Sequence, residues 1–289
     1  MFESISQLLN ESEMNNIPLS QLILKDESEY THTNESKIID RLKKSLDVMR
    51  QSLDKGLASD MELPIAEASH QAKKLLSPGI FFGNNMKQAI SWAMAIAEYN
   101  SGMGLIVACP TAGSSGVLPA VLFKAKDILD KSDDDLLDAF IVAGAVGAII
   151  GNQAMLSGSE GGCQAEIGVA SAMAAAAITY MASGSHDQIS NAIALSLKNI
   201  LGLVCDPVAG LVISPCIKRN AIGVVNAFLA AEMALSGVIS IIPADEVIDA
   251  MMKVGRKLPY ELKETGKGGI AATKTGKRIR KSLFSDTLY

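Results

Sequence analysis

The sequence predicts an all-α protein, a helical bundle whose central helices are rich in Ala and Gly and apolar on nearly all sides. Apolar residues make up 48% of the chain but aromatic residues only 4%, so the interior must be built from small aliphatic side chains. Within residues 102–243, apolar runs exceed the length of an ordinary strand, which favours buried helices. Clusters of Pro and Gly separate these runs and predict loops or tight helix entries. The runs are 136–151, 165–182, 192–205 and 221–242.

The first 60 residues are polar and charge-mixed, and they predict an amphipathic helical arm. Ser59, followed by acidic residues and Pro64, predicts a capped helix that runs to about Leu76. A second helix is expected over about 86–100. The apolar residues that recur at helical spacing in the arm are Ile38, Ile39, Leu42, Leu46, Val48 and Met49.

The C-terminal part begins with a helix start and ends in a basic segment. Pro243 is followed by Ala244, Asp245 and Glu246, and acids in a first turn are typical of a helix N-terminus. Residues 267–281 hold six basic side chains and no acidic one. Such a run is usually a solvated tail, and a loop that contacts an anion is the alternative.

Charge and cysteine content narrow the class of protein. The 26 Lys and Arg against 31 Asp and Glu give a net charge of −5, which is the wrong sign for a dedicated nucleic-acid binder. The N-terminus lacks the basic, apolar and small-residue regions of a secretory signal, so we expect a cytoplasmic protein. In a reducing compartment the four cysteines are poor candidates for disulfides, which leaves packing, catalysis or metal ligation.

A membrane protein is the obvious alternative for such apolar runs. The segment 136–157 is about as long as a bilayer span. It nevertheless contains Asn152 and Gln153 and has no flanking Lys or Arg, so the soluble bundle is favoured.

Three segments place polar or reactive groups inside the apolar region, where each buried polar group needs a partner. The first, 110–116, precedes a predicted helix near Val117, and its hydroxyls and N–H groups suit a carboxylate or phosphate; a simple N-cap by Ser114 or Ser115 is the alternative. The second, 157–166, sets glycines before Cys163. The third, 205–220, holds Cys205 and Cys216. Three thiolates are a familiar ligand set for an iron-sulfur cluster with one iron left open, although the usual zinc and ferredoxin spacings are absent.

Several of these strings resemble a known family. C-P-T-A-G-S-S-G-V-L-P-A-V, S-E-G-G-C-Q-A-E-I-G-V-A-S-A-M-A-A, C-D-P-V-A-G-L-V, P-C-I-K-R-N-A and E-T-G-K-G-G-I-A are similar to the catalytic α chain of the iron-sulfur-dependent L-serine dehydratases. The resemblance covers nearly the whole chain and is strongest over 79–276. It implies a lyase that deaminates L-serine to pyruvate and ammonia.

The resemblance also implies roles for particular residues. A 4Fe-4S cluster would be held by Cys163, Cys205 and Cys216, whereas Cys109 would be a packing residue. The substrate's carboxylate and amine would contact the segment that carries the residues Thr111, Gly113, Ser114 and Ser115. Arg219 and Asn220 would donate to the sulfurs, or cap a helix start. The base that removes the α-proton stays open among Ser114 or Ser115, Lys267 and Glu160.

The chain would be divided into the arm (1–60), a catalytic iron-sulfur domain (61–276) and a basic C-terminal tail (277–289). Single-chain relatives carry an additional β-type domain, so a separate β subunit is implied, and with it a hetero-oligomer. Some relatives end in a cysteine that occupies the open iron; this chain ends in Thr287, Leu288 and Tyr289. Elimination of sulfide from cysteine on the same scaffold, and a membrane protein without enzymatic activity, are the alternative functions.

Overall fold

The computed structural model describes residues 2–284 and forms, over that range, an all-α bundle without a β-strand. The predicted fold class is confirmed. The helices are α1 (Ile5–Asn15), α2 (Leu19–Thr31), α3 (Glu35–Ala58), α4 (Gln71–Lys74), α5 (Asn84–Ser101), α6 (Val117–Leu129), α7 (Asp133–Gln153), α8 (Gly158–Gly161), α9 (Val169–Met181), α10 (His186–Ile200), α11 (Cys216–Leu235), α12 (Ala244–Lys257) and α13 (Lys274–Phe284).

Helix α9 is the centre of the bundle. Apart from Tyr180, every one of its residues is buried, and it packs against α6, α7, α10 and α11. Four consecutive alanines, 174–177, are fully buried and allow neighbouring helices to approach closely. The predicted apolar runs thus correspond to α7, α9, α10 and α11. Among the described residues, none of the helices has the combination of length and apolar character that a membrane span requires.

Side-chain caps fix several helix boundaries. Ser132 and Asp135 form a capping box at the start of α7, and Ser185 forms one at the start of α10. The predicted start of α12 is confirmed, and its Asp245 has a second role. Its two carboxylate oxygens accept hydrogen bonds from the backbone N–H groups of Ile5 at 2.8 Å and Ser6 at 3.0 Å, so the first turn of α12 also caps α1.

The helix predicted from Ser59 to Leu76 is wrong. The segment holds only a 3₁₀ turn at Ala66–Ala68 and the single turn of α4. The Ser69 hydroxyl accepts the Leu63 N–H at 2.9 Å, and His70 is left-handed with φ 56°. A local side-chain acceptor therefore competes with the helix and breaks it.

The C-terminal basic segment is partly helical. Residues 274–284 form α13, which packs against the turn at Val208–Gly210. Residues 285–289, and with them the chain end considered above, lie outside the described residues. The three-part division of the chain stays a prediction.

Two glycines provide a test of how tightly the helices pack. A Cβ at Gly56 in α3 would lie 2.3 Å from the Ala95 backbone oxygen of α5, whereas a Cβ at Gly144 in α7 would meet no atom within 4 Å. We expect Gly56→Ala to lower the free energy of unfolding by about 1–3 kcal/mol, because backbone cannot move aside easily. Gly144→Ala should raise it by about 0.5–1 kcal/mol through the better helix propensity of Ala. Urea unfolding measures both, and equal effects of the two variants would contradict the predicted packing.

Candidate metal centre

The three cysteines of the candidate centre are buried and come from three different segments. Cys163 lies between α8 and a π-helical turn at Gln164–Gly168, Cys205 lies in the loop after α10, and Cys216 is the first residue of α11. Cys205 is fixed by the C-terminal segment, since its N–H donates to the Leu262 carbonyl at 2.8 Å and its carbonyl accepts from Glu264 N–H at 2.7 Å. The loop after α10 and residues 262–264, which are distant in the sequence, thus meet at the site.

A glutamate completes the innermost cluster. The ligand atoms of Cys163, Glu166 and Cys205 all lie within 4.8 Å of one another. Glu166 Oε2 is 4.0 Å from the Cys163 sulfur and 4.0 Å from the Cys205 sulfur. Gly158 makes room for this arrangement, because a Cβ there would lie 2.8 Å from both the Cys205 sulfur and Glu166 Oε2.

Cys216 is outside that tight group. Two thiolates on one zinc-like ion are at most about 4.6 Å apart, twice the usual metal–sulfur distance. The charge of Cys216 nevertheless raises the pKa of Cys205, so the third thiol is near the other two.

Arg219 holds the thiol cluster from one side. Its Nη1 donates to the Cys163 sulfur at 3.4 Å and to the Val204 carbonyl at 2.7 Å, and its Nη2 donates to Asp206 Oδ1 at 2.8 Å. The predicted role of Arg219 as a donor to sulfur is confirmed.

The same prediction is wrong for Asn220. Its amide nitrogen donates to the carbonyls of Gly113 and Cys216, and its amide oxygen accepts from Gly116 N–H. These bonds join α11 to the 110–116 segment, so Asn220 acts on the backbone and not on the thiols.

The surroundings of the thiols shift their pKa values in opposite directions. A hydrogen bond from Cys205 lowers the pKa of Cys163, and the Arg219 charge adds to this effect. The pKa of Cys205 is raised by its hydrogen bond to Cys163 and by burial, and burial raises the pKa of Cys216. Burial also raises the pKa of Glu166, although its hydrogen bond from Thr111 opposes this shift.

The fourth cysteine stands apart. Cys109 is buried, and burial alone raises its pKa to about 12. Its sulfur belongs to the hydrophobic core, as expected for a packing residue.

The segment predicted to bind the substrate, residues 110–116, lies beside Glu166 and the thiols. Thr111 Oγ1 donates to Glu166 Oε1 at 2.7 Å and is 3.2 Å from Ser114 Oγ, which also donates to the Cys109 carbonyl at 3.1 Å. A Cβ at Gly113 would lie 3.3 Å from Glu166 Oε1. Ser115 Oγ is buried, and among the described residues it has no hydrogen-bond partner. Neither serine caps α6, because the N-cap residue is Gly116, which has no side chain, so the alternative of a simple N-cap is wrong.

The structure does not place the other two candidate bases at the thiols. Lys267 is exposed, with Nζ 5.0 Å from the centroid of the Tyr260 ring. Glu160 is also exposed and accepts from Ser157 Oγ at 3.1 Å. Glu166 was not singled out as a site residue from the sequence, and its C-x-x-E spacing after Cys163 is the signal that marks it.

The buried ion pair at this centre gives a stability test. We expect Asp206→Asn to lower the free energy of unfolding by about 3 kcal/mol, because the Arg219 side chain, 12% exposed, would lose its charged partner. Asp249→Asn is the matched control: it removes an exposed pair with Lys253 and should change stability by less than about 0.5 kcal/mol. Urea unfolding of both variants measures the difference, and a small effect of Asp206→Asn would contradict a central role for this pair.

Comparisons with known proteins agree with the resemblance found in the sequence. The family model "Serine dehydratase alpha chain" matches residues 14–271. The chain is 44% identical over 291 residues to the probable L-serine dehydratase, alpha chain, of Bacillus subtilis, covering 100% of this chain and 97% of that protein. It is 39% identical over 290 residues to the L-serine dehydratase, alpha chain, of Peptoniphilus asaccharolyticus, covering 99% of each. The L-serine dehydratase of Streptomyces coelicolor is 36% identical, with 93% of this chain and 60% of that protein covered.

Proposed function

The chain belongs to the serine dehydratase alpha-chain family, and from this premise we propose that it is the subunit that deaminates L-serine to pyruvate and ammonia with a 4Fe-4S cluster held by Cys163, Cys205 and Cys216. The observation that carries the proposal is the convergence of three buried thiols, from three separate segments, beside a hydroxyl-bearing segment. Family membership supplies the substrate.

The residues present fit a metal–sulfur cofactor. Thiolates are soft ligands typical of iron-sulfur clusters, and three of them leave one iron for a further ligand. Gly158 leaves space next to Cys205 that a larger residue would fill. The three thiols and the Glu166 carboxylate also favour a cation at this place. Metal binding would deprotonate the thiols, although the hydrogen bond to Cys163 and burial raise the pKa of Cys205 and burial raises the pKa of Cys216.

The bound cluster would supply a Lewis acid for the substrate's hydroxyl and carboxylate. The protein's part is to bind, orient and enclose the amino acid. We propose that Thr111, Gly113, Ser114 and Ser115 bind the substrate, at the N-terminal end of α6, where the helix dipole favours a carboxylate. The unpartnered hydroxyl of Ser115 supports this role, because a buried polar atom without a partner costs about 1–3 kcal/mol unless a ligand satisfies it.

We propose that one of the two serines transfers the proton. Lys267 would act from the exposed edge of the site. Ser114 Oγ is already engaged with Cys109 and Thr111. Ser115 Oγ is therefore the better placed of the two to exchange a proton with the substrate. The loop that carries Lys267 packs against the Cys205 loop: Gly266 lies beside the backbone of Pro207 and Gly210. When this loop closes, the Lys267 ammonium would contact the substrate carboxylate.

We propose a separate β subunit as the partner and a cytoplasmic location. Two relatives of full-length similarity are named alpha chains, and such a name implies a second chain as partner.

The cluster assignment is tested by metal content. After anaerobic reconstitution with iron and sulfide, the wild type with its β chain should be brown and deaminate L-serine, and it should lose both properties in air. Cys163→Ser, Cys205→Ser and Cys216→Ser should each lose most of the iron, acid-labile sulfide and activity. Cys109→Ala is the control and should keep all three. Full iron content in any of the first three variants would refute the ligand set.

The role of Ser115 is tested by separating stability from activity. Ser115→Ala removes no hydrogen bond within the protein, so its free energy of unfolding should stay the same or rise by up to about 1 kcal/mol. Its kcat/KM for L-serine should fall at least about tenfold, because a substrate contact is lost. Ser114→Ala should instead lose about 1 kcal/mol of stability. Unchanged kcat/KM in Ser115→Ala would contradict the assignment.

A further inference from the structure

The Glu166 carboxylate bridges the two halves of the proposed site. Its Oε1 accepts a hydrogen bond from Thr111 at 2.7 Å, on the side of the substrate segment. Its Oε2 is 4.0 Å from the sulfurs of both Cys163 and Cys205, on the side of the metal ligands. The side chain is half-buried, so a small ligand can reach it. Glu166 thus lies between the segment proposed to bind the substrate, residues 110–116, and the proposed metal ligands Cys163 and Cys205.

The Glu166 carboxylate forms no ion pair within the described part of the chain. Among residues 2–284, no Lys or Arg forms an ion pair with it. Arg219 is the nearby cation, but its guanidinium pairs with Asp206 at 2.8 Å. The charge of Glu264 raises the pKa of Glu166, and the charge of Arg219 opposes this effect. A cation placed beside this half-buried carboxylate would stabilise its ionised form.

Two cations are chemically reasonable at this position, a metal ion and an ammonium group. Oxygen ligands suit hard ions, whereas the neighbouring thiols suit soft metals. One Glu166 oxygen is already a hydrogen-bond acceptor for Thr111, which belongs to the segment proposed to bind the substrate carboxylate. An α-amino acid carries its ammonium on the carbon next to its carboxylate. A ligand anchored at that segment therefore brings a cation within reach of Glu166.

We propose that Glu166 binds the α-ammonium group of the substrate and thereby selects α-amino acids over acids that lack the amine. This inference rests on the proposed function. The absence of a side chain at Gly113 keeps the space beside Glu166 Oε1 open, since a Cβ there would lie 3.3 Å from that oxygen. Thr111 orients the carboxylate, and the substrate ammonium takes the place of the missing ion-pair partner.

The test compares ligands that differ only in the amine. L-alanine and propionate lack the β-hydroxyl and cannot be dehydrated, so their binding is measured by calorimetry without turnover. The protein is the anaerobically reconstituted complex of both chains. In Glu166→Gln, the Kd of L-alanine should rise about ten- to a hundredfold, the loss of one charge-assisted bond, while the Kd of propionate stays the same or falls. Glu166→Asp should lose less affinity. Iron and acid-labile sulfide should equal those of the wild type.

Glu29→Gln is the matched control, because Glu29 is an exposed residue of α2, and it should leave both affinities unchanged. Equal weakening of L-alanine and propionate in Glu166→Gln, no change in either, or loss of iron would each overturn the proposal; the last would make Glu166 a metal ligand. A wild type that binds L-alanine more tightly than propionate but does not deaminate L-serine would refute the proposed function alone.

Discussion

The Arg219 guanidinium is the interaction on which the arrangement of the site depends. The guanidinium, on the first turn of α11, contacts the Cys163 sulfur on the segment after α8. It also contacts the Val204 carbonyl and the Asp206 carboxylate on the Cys205 loop. The same Asp206 that pairs with it accepts the Ile270 N–H at 2.8 Å through its other oxygen, which fixes the C-terminal loop. One buried ion pair therefore joins four segments far apart in the sequence. Such a pair contributes little net stability compared with an apolar contact, but it specifies one arrangement of the loops around the thiols, because any other arrangement would leave a buried charge unpaired.

The small-residue core makes this convergence possible. Because α9 consists largely of alanine, its neighbours α7, α10 and α11 approach it closely. The loops at the ends of these helices therefore lie close to one another. Asn220 and Gln164 then fix those loops through the backbone. Gln164 donates to the Met251 carbonyl at 3.0 Å and accepts from Gly202 N–H at 2.9 Å. Both amides are buried and form hydrogen bonds to peptide groups, so they add rigidity next to the thiols.

The helices were largely predictable and the geometry of the site only in part. Long apolar runs predicted α7, α9, α10 and α11 because a buried helix needs apolar side chains on most of its faces. The prediction failed between Ser59 and Leu76, where the side-chain acceptor Ser69 decides the backbone, a local bond that periodicity does not register. The three cysteines came from family resemblance, since their spacing matches no local motif. The C-x-x-E spacing marks Glu166 in the sequence, but the position of its carboxylate depends on a π-helical turn and on Thr111, 55 residues away, which local spacing does not give.

Two features of the site are unfavourable for folding and favourable for binding. Among residues 2–284, the buried Ser115 hydroxyl has no hydrogen-bond partner and the half-buried Glu166 carboxylate forms no ion pair. Each costs free energy in the protein alone, of the order of 1–3 kcal/mol for the hydroxyl. A ligand that satisfies both gains the same free energy on binding, and by linkage it stabilises the folded state. An amino acid is suited to this, because its carboxylate can accept from the hydroxyl while its ammonium meets the carboxylate. Ser115 and Glu166, on segments that meet beside the three thiols, are thus a physical reason for the proposed selectivity towards a small zwitterion.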